Sequence, residues 1–186
     1  MGSGPADEEL MLSYGGGDAR AFETLYRRHR GPLYRFLLRQ VGEAATADEL
    51  FQDVWMRVID SRGRYEARAK FTSWMYAIAH NRLMDFYRAS GRAKFLAQDE
   101  SEQVLDNLPA SDIPADALID RKRAAERLLA ALAELPEVQR EAFLLQQEGD
   151  LSVEEIGAAT GVSRETAKSR LRYAVAKLRA RIGEPS

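Results

Sequence analysis

The chain has 186 residues, 45% hydrophobic and 30% charged, a composition that suits one or two small packed domains. It has no cysteine, which excludes disulfides and thiolate metal sites, and no apolar run near the ~20 residues that span a bilayer. The formal net charge of −2 hides a segregation: residues 18–94 hold 15 bases and 9 acids, residues 95–120 hold 7 acids and no base, and residues 121–186 hold 12 bases and 10 acids.

Residues 1–17 read as a flexible start, opening on Met1-Gly2-Ser3-Gly4 and showing no signal-peptide pattern. From there to the end the pattern predicts an all-α protein, because helix formers dominate and strand alternation is absent. Asp18 follows three glycines and can cap a helix running to about Val41, with Phe22, Leu25, Tyr26, Leu33, Phe36 and Leu37 on its apolar side. Pro32 predicts a kink or a division within it. Thr46 and Glu49 have the spacing of a capping box and open a second helix, whose stripe is Leu50, Phe51, Val54, Trp55, Val58 and Ile59. A third helix spans about Phe71–Arg88, with Phe71, Trp74, Met75, Ile78, Ala79, Leu83 and Phe86 facing the core. Tyr76, His80, Asn81, Tyr87 and Arg88 lie off the centre of that stripe, and Arg82 can pair with Asp85.

Residues 95–120 read as an acidic linker with Pro109 and Pro114 and no sustained period. As a flexible tether it would have an r.m.s. span of roughly 28 Å. A basic block, an acidic string and a second block with a basic end predict polyanion contacts at two separate places. Helices resume near Leu118, with Leu128, Leu129, Leu132 and Leu135 marking one that ends before Pro136. Pro136 favours the first turn of the next, over Pro136–Gln147, and Gly149 stops it.

The most informative stretch follows. Ser152-Val153-Glu154-Glu155 is a capping box for a short helix, Val153–Thr160. Gly161 supplies a turn, Val162 plugs the angle, and Ser163 caps a last helix from Arg164 to about Ile182. Two helices joined in this way form a helix-turn-helix, and residues 163–181 hold seven bases and one acid. The major groove is ~12 Å wide and admits one helix, provided that its leading face is polar. Arg164, Glu165 and Lys168 can reach base edges, since Arg or Lys suits guanine and Glu suits cytosine. Ser152, Ser163, Thr166, Ser169, Arg170 and Arg172 suit phosphates.

With these segments assembled, the chain resembles the extracytoplasmic-function (ECF) sigma factors of the sigma-70 family, group IV. The segments that carry the resemblance are 18–29, 47–58, 71–88 and 135–143, leading into the helix-turn-helix and Lys168-Ser169-Arg170-Leu171-Arg172. The resemblance implies a fold of two small helical domains. Sigma region 2 would occupy 18–94, the acidic linker 95–120, and sigma region 4 the helix-turn-helix unit 121–186. The chain ends soon after this motif, so no further C-terminal domain is expected. Asp48, Glu49, Leu50, Gln52, Asp53 and Trp55 match the motif that docks on a coiled coil of the largest subunit of core RNA polymerase. Arg64, Tyr65, Arg68, Lys70, Tyr76, His80, Asn81 and Arg88 are the candidates for capturing the melted strand of the −10 element. The helix-turn-helix would read duplex DNA at −35. Opening about ten base-pair steps at ~1.4 kcal/mol each exceeds what one small domain supplies, so assembly with the polymerase is required. Two departures leave the −35 sequence open: Ala167 stands between Thr166 and Lys168 where relatives carry Val, and Tyr173 stands where small or basic residues are common.

The resemblance also implies an anti-sigma partner, a stress or envelope regulon, and a cytoplasmic protein, either free or held near the inner membrane by that inhibitor, without membrane insertion of its own. No cofactor, metal or catalytic residue is expected. The sequence has no Gly-rich phosphate loop and no triad spacing, and Asp48, Glu49 and Asp53 read as solvated acids rather than a metal site. A helix-turn-helix regulator that binds DNA without polymerase is the alternative, but it leaves the docking motif unexplained.

Overall fold

The computed structural model describes residues 4–92 and 118–183. Among these residues every regular element is a helix: α1 (Asp7–Gly15), α2 (Ala19–Val41), α3 (Ala44–Asp60), α4 (Phe71–Ala89), α5 (Leu118–Glu134), α6 (Glu137–Gly149), α7 (Val153–Thr160) and α8 (Arg164–Ile182). The acidic segment expected as a linker lies outside the described residues as far as position 117, and α5 begins at its last three positions.

The N-terminal four helices enclose one core. The Asp18 carboxylate accepts from the Arg20 amide (3.0 Å) and starts α2, and Gly42, at φ +75°, ends it by donating to the Leu38 carbonyl. The helix runs through Pro32 without a break. Pro32 forfeits one backbone bond. The burial of Leu25, Leu33, Phe36 and Leu37 on either side, worth about 1.5–3 kcal/mol per side chain, outweighs that loss. The second helix starts two residues earlier than Thr46. Glu43 precedes its first turn, and the Thr46 hydroxyl donates to the Glu43 carboxylate (3.0 Å), so the expected Thr46–Glu49 box does not form the start.

The stretch expected to be a flexible start contains a helix. Leu10 and Met11 of α1 are buried in the same core as α2 and α4, and this contact holds a nine-residue helix that is too short to persist alone. Asp7 fastens its first turn to α2 through Arg28 (2.8 Å) and His29 (2.7 Å). Burial alone would raise the Asp7 carboxyl pKa, but bonds and charge from His29 and Arg28 outweigh it and hold the group below the ordinary aspartate value.

The C-terminal unit forms around α6 and α8. Leu132, Leu135, Ala142, Leu144, Leu145, Ile156, Ala167, Leu171 and Leu178 supply its core, while Leu129 points outward. Gly149 does not stop α6. It is the last helical residue, and Asp150 takes the left-handed turn at φ +53°.

The two units meet along α2 and α4 on one side and α6 and α7 on the other. Glu148 is clasped by Arg35 (3.0 Å) and Arg39. Arg140 donates to the Gln40 carbonyl (2.9 Å) at the end of α2. Across α4, His80 Nδ1 meets Glu141 (2.6 Å), and the Tyr76 ring lies against Gly149. This second contact explains why α4 departs from its expected stripe. Tyr76 and Tyr87 are 1% exposed, whereas Trp74, Ile78 and Phe86 are only partly buried.

Candidate nucleic-acid interface

The helix-turn-helix forms at the expected residues. The Ser152 hydroxyl accepts from the Glu155 amide (3.2 Å), and the Glu155 carboxylate accepts from the Ser152 amide (2.9 Å). Gly161, at φ +71°, sends its amide to the Gly157 carbonyl and turns the chain; a side chain at this φ would be strained. Ser163 Oγ then accepts from the Thr166 amide (3.1 Å) and starts α8. Ile156, Ala159, Ala167 and Leu171 are buried between the two helices and the rest of the unit.

This packing leaves one face of α8 bare. Arg164, Glu165, Lys168 and Arg172 are exposed, and Thr166, Ser169 and Arg170 are half-buried beside them. Arg164 is engaged with Glu154 (2.5 Å) and Glu165 (3.2 Å), and Arg172 lies over the Tyr173 ring at 5.2 Å. The exposed pair Arg164–Glu154 lies in water and is weakly held. Ser152 and Ser163 are exposed but already serve as caps, so a phosphate would share them with the helix ends.

The N-terminal candidates separate into three groups. Arg64, Tyr65 and Arg68 line a hollow with Ser61, Glu66 and Trp74, on the loop between α3 and α4. Arg64 and Arg68 are exposed, with Arg68 beside Glu66, whereas Tyr65 is buried and packs edge-on against Trp74 at 4.9 Å. Burial, aided by the charges of Glu8 and Asp7, pushes the Tyr65 hydroxyl up to about 12. Asn81 and Arg88 form a second group on the exposed side of α4, with Arg88 3.3 Å from Asp85. Lys70, Tyr76 and His80 form the third, which meets the C-terminal unit; Tyr76 and His80 are covered by it, and Lys70 stays exposed at its edge. Lys70 pairs with Glu155 (3.1 Å), His80 with the buried Glu141, and Tyr76 is enclosed. Tyr76 was expected to face a strand, but here it is a core residue of the contact between the units.

A further face lies on α3. Asp48, Glu49, Gln52 and Asp53 are exposed, and Asp48 bonds the Tyr34 hydroxyl, raising the pKa of that hydroxyl. Leu50 (6% exposed) and Trp55 (5%) belong to the core and support this face from beneath. Sequence reasoning missed Met56, 54% exposed, at i+3 from Asp53 and i+4 from Gln52 on the same side. The signal was available: Met56 falls outside the Leu50–Ile59 stripe and among the acids. Trp74, expected in the core, packs against it and at the same time forms a wall of the hollow.

Among the described residues no group of three or more His, Cys, Asp or Glu could hold a metal ion, and no helix is long and apolar enough to cross a membrane.

Family models match the chain at Sigma-70 region 2 over residues 25–93 and at Sigma-70 region 4 over residues 125–178. The RNA polymerase sigma factor CarQ of Myxococcus xanthus is 36% identical over 174 residues, 94% of this chain and 96% of its own length. The ECF RNA polymerase sigma factor RpoE of Cereibacter sphaeroides is 31% identical over 163 residues, 87% and 86% of the two chains. Among solved structures, CnrH in complex with the cytosolic domain of CnrY superposes with a TM-score of 0.68 at 22% identity, over 98% of this chain and all of that one. The sigma factor RpoE in complex with the anti-sigma factor NepR from Bartonella quintana gives 0.66 at 21% identity, over 90% and 100%. The helix-turn-helix, the all-helical N-terminal unit and the similarity to CarQ along almost the whole length agree: the chain belongs to the ECF family of RNA polymerase sigma factors.

Proposed function

We propose that this sigma factor joins core RNA polymerase to a bipartite promoter through three surfaces. The first is the acidic face of α3. Asp48, Glu49, Gln52 and Asp53, with Met56 among them, suit a basic coiled coil of the largest subunit. The second is α8. Arg164, Glu165 and Lys168 read base edges at −35, while Ser152, Ser163, Thr166, Ser169, Arg170 and Arg172 hold phosphates. The third is the hollow framed by Arg64, Tyr65, Arg68 and Trp74, where a base flipped from the −10 strand can stack, with Asn81 and Arg88 along its path.

The observation that carries this reading is that one chain presents an exposed acidic helix face and, on another unit, a capped helix-turn-helix with an exposed basic face. Lys70 and His80 belong to the −10 surface as well, but they are occupied by Glu155 and Glu141. Loading onto a promoter therefore requires the C-terminal unit to leave α4, and the arrangement described here is the one that precedes loading. The domain division expected from the sequence, 18–94 and 121–186 about the acidic linker, supplies two bodies able to part in this way.

CnrH was solved with the cytosolic domain of CnrY, and the Bartonella RpoE with the anti-sigma factor NepR. An anti-sigma partner for this chain would cover the α3 face and α8 together. In this reading the sigma factor itself acts by binding rather than by covalent chemistry, and its work on promoter DNA is in the cytoplasm.

Separable variants test the assignment. Asp48→Arg with Asp53→Arg should abolish co-elution with core polymerase and leave binding of a −35 duplex by the isolated chain intact. Arg164→Ala with Lys168→Ala should do the reverse, each lost base contact costing about 1–3 kcal/mol. Both pairs being neutral in both assays would remove the site assignments.

A further inference from the structure

The loop that frames the hollow between α3 and α4 is braced at both ends by α1. Glu8 Oε1 accepts the backbone N–H of Phe71 at 2.7 Å, the first residue of α4, where Lys70 offers no side-chain cap of its own. A helix start left open in this way needs an acceptor, and here it comes from 63 positions earlier in the chain. At the other end of α1, Gly15 lies so close to the α3–α4 loop that an added Cβ would sit 2.5 Å from the Arg62 carbonyl oxygen. The Arg62 guanidinium also lies over the Tyr14 ring at 5.8 Å. The helix therefore touches both ends of the loop that carries Arg64, Tyr65 and Arg68. Between those ends, Tyr65 is fixed by packing alone: its ring lies among Phe71 and Trp74, and its hydroxyl has no hydrogen-bond partner among the described residues.

We propose that α1 is a positioning element for −10 strand capture, with Glu8 as the residue that sets Phe71, and through it Tyr65 and Trp74, before DNA arrives. This rests on the reading of the hollow as the base-capture site. Glu8 touches no DNA. Its effect is to preorganise the loop, so that the ordering entropy is met during folding rather than at strand capture. Without it the loop would order only on binding, and the captured base would be held loosely.

The test uses the full chain assembled with core polymerase. The probes are single-stranded oligonucleotides carrying the −10 element of a promoter found by run-off transcription, with each of the four bases at the captured position. Glu8→Ala should lower the discrimination between the preferred and the disfavoured base by about tenfold, with core affinity within about twofold of the parent. Glu8→Gln keeps an acceptor for the Phe71 amide and should retain most of the discrimination. Gly15→Ala presses on the loop from its other end and should also lower discrimination; it carries the test if Glu8→Ala does not fold. Undiminished discrimination in Glu8→Ala, or an equal loss of core affinity, would overturn the proposal. Trp74→Ala separates the two readings. If Trp74→Ala loses discrimination while Glu8→Ala keeps it, α1 has no positioning role. If Trp74→Ala keeps it, the hollow itself is not the base-capture site.

Discussion

The helix-turn-helix and the N-terminal four helices solve the same problem, ending helices and covering their apolar faces, by different means. In the helix-turn-helix every cap is local. Ser152 closes on Glu155, Ser163 on Thr166, and Gly161 on Gly157, none more than four residues apart. In the N-terminal unit local caps such as Asp18 and Gly42 are joined by distant partners. Glu8 caps α4 63 positions away, and Arg140 of the C-terminal unit donates to the Gln40 carbonyl near the end of α2 across 100. Two faces of α4 are covered, one by its own unit and the other by α6 and α7, and a third stays exposed. A motif built from local rules can keep its shape while it moves between partners, which suits a DNA-reading module. A surface built from distant contacts depends on the whole unit.

This contrast can be tested, beginning with its largest expected effect. Met11 is fully enclosed, so Met11→Ala should cost the chain about 2–5 kcal/mol in denaturant unfolding. Parental stability would return α1 to the status of a loose start. Gly161→Ala should cost about 1–2 kcal/mol, since the left-handed turn disfavours a Cβ. Amide hydrogen exchange should show that loss in α7 and α8 while the N-terminal helices keep their protection. Ser163→Ala should cost about 1 kcal/mol, and Thr46→Ala much less, because Thr46 is not the cap of α3. Equal costs in thermal melts would show that the difference in capping is not real.

The smallest effect comes from alkaline pH. Burial pushes the Tyr76 and Tyr87 hydroxyls well above the ordinary tyrosine value, which keeps both neutral where the units meet. Their folded pKa values are raised, so the stability they contribute is complete below the unfolded value of about 10 and is lost as pH rises through the folded values. Absorbance titration should show a late-ionising subset of the seven tyrosines, titrating as the units part. Tyr65, raised to about 12 within the N-terminal unit, stays late in either case, so a late subset without Tyr76 and Tyr87 would mean that the units are already apart at neutral pH.

What was legible in the sequence follows the same division. The last two helices and their caps were readable to the residue because Ser, Glu and Gly at fixed spacings carry the whole signal. The exposed acids of α3 were readable because they fall off its apolar stripe. The first helix was not, since nine residues with only Leu10 and Met11 buried carry almost no periodicity. Tyr76 and Trp74 exchanged expected places for a related reason. A stripe calculation assumes one buried face, and α4 has two. Tyr76 therefore went into the contact between the units, and Trp74 was left at the edge of the loop.

Run-off transcription with purified core polymerase, on fragments of genomic DNA, tests the central claim most directly. Addition of this chain should move initiation to a defined set of start sites that share two separated sequence elements, and core polymerase alone should not use those sites. Start sites unchanged by the chain, or a chain that binds such DNA equally well without polymerase and never redirects initiation, would contradict it.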